Sequence, residues 1–113
     1  MKIVNDKIAL AELKQMAQSK FGNFVKAVID VERKLMIIDA ELHADEEALL
    51  IEQGSKQADL WGINIYPELG KDEWIEFDSM INLRPSQGNR TRGVDNPDIR
   101  GKIIQVVNNL IKT

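Results

Sequence analysis

The sequence contains no cysteine. Disulfides, thiolate metal ligands and cysteine nucleophiles are therefore excluded together. Histidine is nearly absent: His43 stands alone, which leaves a nitrogen-rich metal site short of ligands, so no metal is expected. No apolar run approaches the roughly 20 residues that span a bilayer, and no membrane partner is expected. The start, MKIVNDKIAL, has no long apolar stretch, so a signal peptide is not expected, and the lack of cysteine makes a cytoplasmic location the expectation. The phosphate-binding GxxxxGK[ST], a GxGxxG after a strand, the GxSxG elbow and HExxH are all missing, and no cofactor is expected.

What the chain does have is unevenly placed charge. Its 113 residues, ordinary for one domain spanning 1–113, carry a formal charge of -3. Residues 39–52, DAELHADEEALLIE, hold six acids and no Lys or Arg. Residues 82–94 hold Arg84, Arg90 and Arg92 and no acid, with Ser86, Gln87, Asn89 and Thr91 around them and Gly88 and Gly93 loosening the backbone. Nucleic-acid binding through phosphates calls for a broad basic face. Positive charge confined to one loop makes nucleic acid an unexpected partner and an RNase-like toxin a weak alternative.

Periodicity predicts the elements. Met1 to Val4 reads as a short strand. Leu10, Leu13, Ala17 and Phe21 fall on one helical face over about 9–20, although Ala9 stands where Ser or Thr would cap. FVKAVIDVE alternates as a half-buried strand, and Arg33-Lys34 turns it into LMIIDAEL, without the Asn-Gly of a strong hairpin. A second helix covers about 44–53, with acids in its first turn and Gly54 at its end. LWGINIY is a third strand, and Trp74 to Arg84 a fourth, with Ile75, Phe77, Ile81 and Leu83 facing the core. Asn96, Pro97 and Asp98 start the last helix. The expected fold is α+β: a four-stranded mainly antiparallel sheet with three helices on one face, in the order α-β-β-α-β-β-α. Met1 to Val4 is then a candidate extra strand. Phe24, Val28, Trp74 and Met80 lie among charges on the other face, which suggests an uncovered surface and a homodimer.

The stretches AELHADEEALLIEQGSKQADLWGINIYP and WIEFDSMINLRPSQGNRTRGVDNPDIRGKI resemble a family of small prokaryotic proteins known only as a domain of unknown function. The resemblance runs from about residue 8 to the C-terminus. It implies a single-domain protein and implies no activity.

Two sets of residues can carry chemistry. Arg84, Arg90 and Arg92 offer planar, bidentate donors for phosphate or carboxylate, and Ser86, Gln87 and Asn89 add hydrogen bonds. The expectation is a small anionic ligand at the loop 84–93. Asp95 and Asp98 at the following helix start oppose it. The alternative is an interaction module whose loop pairs with the acidic segment 39–52, or with Asp59 or Asp78. His43, beside Glu41, Asp45 and Glu47, is the candidate acid-base residue. Trp61 reads as core, and Trp74 as a pocket wall or an exposed interface residue.

Overall fold

The computed structural model describes residues 1–113. It is α+β, with three helices and a five-stranded antiparallel sheet in the order β1-β4-β3-β5-β6. The strands are β1 (Lys2–Val4), β3 (Val25–Asp30), β4 (Leu35–Ile38), β5 (Leu60–Ile65) and β6 (Ile75–Glu76). The fifth strand, one more than the four expected, is β1, which pairs with β4. A two-stranded parallel pair, β2 (Ile8–Ala9) and β7 (Ile111–Lys112), ties the two ends of the chain together. No helix is long and apolar enough to cross a membrane.

The hairpin of β3 and β4 closes without Asn-Gly because Asp30 organises it. The Asp30 carboxylate accepts the backbone N–H of Glu32 at 3.0 Å and of Arg33 at 2.9 Å. Ser55 Oγ donates to its other oxygen at 2.6 Å, and Asp30 is fully buried. Lys34 takes the left-handed φ of 58° that the turn requires. β4 stops short of the expected LMIIDAEL because Asp39, at φ 70°, turns the chain out of the sheet.

The helices do not share one face. α1 (Leu10–Lys20) and α3 (Pro97–Leu110) cover the side bearing Ala27, Ile29, Met36, Ile38 and Ile63. α2 (His43–Glu52) covers part of the opposite side, where Leu50 packs on Val28, Leu35, Ile37 and Leu60. The reason is in the strands: β4 is apolar on both faces, and Val28 and Leu60 add apolar side chains to the α2 side of β3 and β5, so one layer of helices cannot bury them. α3 starts as its sequence predicts, with Asn96 Oδ1 accepting from Asp98 N at 2.8 Å. α1 has no side-chain cap at Ala9.

The expected strand from Trp74 to Arg84 is overturned after Glu76. Trp74 turns inward into the α1 and α3 core, where its Nε1 donates to Leu69 O at 3.1 Å. It is neither a pocket wall nor exposed. Beyond Asp78, the Asn82 carboxamide takes the place of a strand backbone. Its Oδ1 accepts from Gly62 N at 2.8 Å and its Nδ2 donates to Gly62 O at 2.9 Å. That completes the free edge of β5 with a side chain, and residues Met80–Asn82 coil into a 3-10 turn instead.

Candidate functional site

On its α2 side the sheet is only half covered. The open half is a cleft of about 410 Å³ between the α2 N-terminus, the β5–β6 edge and the segment 78–81. The register sets Lys26, Asn64 and Glu76 in a row across β3, β5 and β6, and these form the floor. Tyr66, Asp78, Ser79 and Arg92 also line it, with Phe24, Leu42, Met80 and Ile81 as apolar wall. His43, the first residue of α2, completes the lining.

His43 is 8% exposed, and its Nε2 lies 2.7 Å from Ile63 O. A carbonyl only accepts, so Nε2 carries the proton and the neutral ring has its lone pair on Nδ1. Nδ1 makes no hydrogen bond inside the chain. Burial lowers the His43 pKa, and Lys26 and Arg92 lower it further, against the Ile63 carbonyl and Asp78, which raise it. Glu76 Oε1 accepts from Asn64 Nδ2 at 2.8 Å and from Tyr66 OH at 3.1 Å. Burial raises the Tyr66 pKa, and Glu76 adds to the effect. Arg92 Nε donates to Asp78 Oδ1 at 2.7 Å in a half-exposed pair.

One turn further along α2, Glu46 is fully buried. Its Oε2 accepts from Ala40 N at 3.2 Å, while Oε1 has no partner. Burial pushes its pKa up to about 9.

The residues expected in the loop 84–93 separate into different roles. Arg84 is spent on its own chain: Nε donates to Ile81 O at 2.9 Å, Nη1 to Gln57 O at 2.8 Å, and Nη2 to Leu60 O. Its guanidinium lies 4.5 Å from the Trp61 ring centroid, and burial lowers its pKa. Asn89 is 3% exposed and holds the loop closed. Its Nδ2 donates to Asn82 O at 2.7 Å and Gly93 O at 2.9 Å, and its Oδ1 accepts from Asp95 N at 2.8 Å. Asp95 fixes the same loop by accepting from Thr91 Oγ1 at 2.6 Å and Arg90 N at 2.9 Å, and these bonds hold its pKa low. Gln87 accepts from Arg84 Nη1 at 3.2 Å and, with Asn89, lines a separate hollow beside Trp61. Ser86 is exposed on the 3-10 turn Pro85–Gln87, and the exposed Arg90 side chain makes no ion pair within the chain. Trp61 is core, as expected.

Of the loop arginines and His43, the cleft therefore brings together Arg92 and His43. The acidic segment 39–52 does not meet the loop in an ion pair: Asp39 pairs with Lys20 at 3.8 Å, and Arg92 with Asp78. Sequence reasoning missed Lys26, Asn64, Tyr66 and Glu76 as site residues. The available signal was Asn64, a polar side chain in the middle of LWGINIY, a strand otherwise apolar on both faces.

A small α+β protein with a mixed-charge cleft beside a tethered histidine is the class defined by this fold and site. The chain belongs to the DUF5674 family, described as a protein of unknown function, which matches residues 2–110. No curated protein and no solved structure matches it.

Proposed function

We propose that this chain binds a small ligand bearing an anionic group in the cleft below the α2 N-terminus, with His43 as the proton carrier if the ligand is turned over. One observation carries this reading. Arg92 and His43 line the same cleft, and neither His43 Nδ1 nor the terminal guanidinium nitrogens of Arg92 have a hydrogen-bond partner in the chain. A neutral imidazole with one nitrogen tethered and the other free is the arrangement a general base needs. A guanidinium with two free nitrogens suits a carboxylate or phosphate. Arg84 and Asn89 hold the loop's shape, and Ser86, Gln87 and Arg90 are absent from the cleft lining. A cytoplasmic location belongs to the proposal and rests on the lack of cysteine.

The test is ligand-dependent stability. Sulfate, phosphate or a small carboxylate should raise the unfolding temperature, by about 2.7 kcal/mol of stabilisation at a hundred times Kd. Chloride at matched ionic strength is the control, because salt alone screens repulsion. Arg92→Ala should remove the shift and Arg90→Ala should keep it. Equal shifts in both variants would sink the proposal. A second reading, a homodimer through the cleft rim, is favoured by Leu42 and Met80, which are 55% and 62% exposed. Association detected by light scattering and broken by Met80→Glu would favour it.

A further inference from the structure

The cleft is not uniformly cationic, and its charge pattern narrows the ligand. Lys26 and Arg92 are formal cations; Glu76 and Asp78 are formal carboxylates. Their hydrogen-bonding capacity is only partly used inside the chain. Glu76 Oε1 takes both Asn64 and Tyr66, which leaves Oε2 without a partner. Asp78 Oδ1 takes Arg92, which leaves Oδ2 without one. Lys26 Nζ makes no ion pair or hydrogen bond; its neighbour is the Phe21 ring, 5.3 Å from the centroid. A dianion such as phosphate would be drawn to the two cations and repelled by the two carboxylates. A ligand carrying both a positive and a negative group meets a partner for each, and in the Arg92–Asp78 pair the two partners adjoin. Apolar side chains share the wall: Phe24 is half-buried, and Met80 is 62% exposed at the rim.

Resting on the reading of this cleft as a ligand site, we infer that its ligand is a zwitterion of the amino-acid type. Glu76 and Asp78 hold the ammonium group, Arg92 and Lys26 hold the carboxylate, and Phe24 and Met80 take an apolar side chain. This differs from the anion site expected from the arginines alone, because the carboxylates come from β6 and the segment that follows it.

The single histidine makes the experiment clean: the only imidazole resonances of the protein report on the cleft. The full chain is titrated with a panel of free amino acids, leucine among them, while the His43 resonances are followed by NMR. Isocaproate and isoamylamine, which are leucine without its amine and without its carboxylate, are titrated alongside. Saturable shifts with leucine are expected, with each truncated analogue at least about tenfold weaker, the loss of one charge-assisted contact. Glu76→Gln should weaken leucine and leave isocaproate unchanged. Lys26→Met should weaken both, and it stands in if Glu76→Gln does not fold. Isocaproate binding as tightly as leucine would overturn the zwitterion while sparing the anion site. Shifts with simple anions but with no amino acid would do the same. No shift with any amino acid or any anion would remove both readings together.

Discussion

Glu46 has no solvent exposure, and one of its carboxyl oxygens has no donor. Such a carboxyl stays protonated where an exposed one ionises, and the shift links to stability. Its folded pKa is about 9 against 4.5 when unfolded. The sign follows: the contribution is intact below the unfolded value and is lost as pH rises through the folded one. By linkage the loss at pH 7 reaches up to about 3 kcal/mol. Glu46→Gln cannot ionise, but its amide leaves donors unpaired, which costs about 1–2 kcal/mol. The variant should therefore be the more stable protein by about 1 kcal/mol or more near pH 8, and no more stable near pH 5. Urea melts across that range check this; parallel curves for the two proteins would refute it. His43 acts oppositely. Its folded pKa lies below 6.5, so its contribution is complete above that pH and is lost as pH falls through the folded value. Neither effect is legible in the sequence, where Glu46 is one of six acids between residues 39 and 52 and His43 sits among them. Only docking of α2 on the sheet shows that these two point inward.

Among the elements, the segment after β6 departs most from its pattern. Ile75, Phe77, Ile81 and Leu83 alternate correctly for a strand, yet Phe77 packs with the α1 and α3 core and Ile81 with the α2 cluster. The chain changes faces between them, at the turn that begins with Ser79. Period-2 reading assumes that backbone pairs with backbone, so a carboxamide that pairs with β5 in its place is invisible to it. The approach also explains Gly62. A Cβ there would lie 2.6 Å from Ser79 Cβ and Oγ, closer than atoms can sit. Gly62→Ala should destabilise by about 1–3 kcal/mol through overpacking. Ser79→Gly in the same chain should return part of that loss, which a double-mutant cycle measures. Additive losses would show that the close approach is not the cause. Asn82→Ala strips partners from both backbone groups of Gly62 and from Arg92 O, and should cost about 2–4 kcal/mol. The helices were more legible, because amphipathic spacing and the Asn96-Pro97 start act locally and survive any tertiary arrangement.

At the scale of the whole molecule the two faces of the sheet are unequally secured. α1 and α3 close a large core that includes Leu13, Ala17, Ile103 and Val107. α2 rests on a smaller cluster around Leu50 and brings two carboxyl oxygens, Glu46 Oε1 and Glu47 Oε2, into burial without donors. Helices on one face only are expected where strand residues alternate as half-buried. The apolar doublets of β4 and β5 instead require cover on both sides. The weaker layer is also the one that carries His43 and walls the cleft. Segments with few apolar contacts and uncompensated polar burial open at lower free energy than the core. Native-state hydrogen exchange should therefore release the α2 amides well before those of α3, β3 and β5. A cleft ligand binds the docked form of α2, so it should slow α2 exchange in proportion to 1 + [L]/Kd, the same factor by which global stabilisation slows the core amides. If α2 exchanges as slowly as α3 in the free protein, its layer is no weaker than the other.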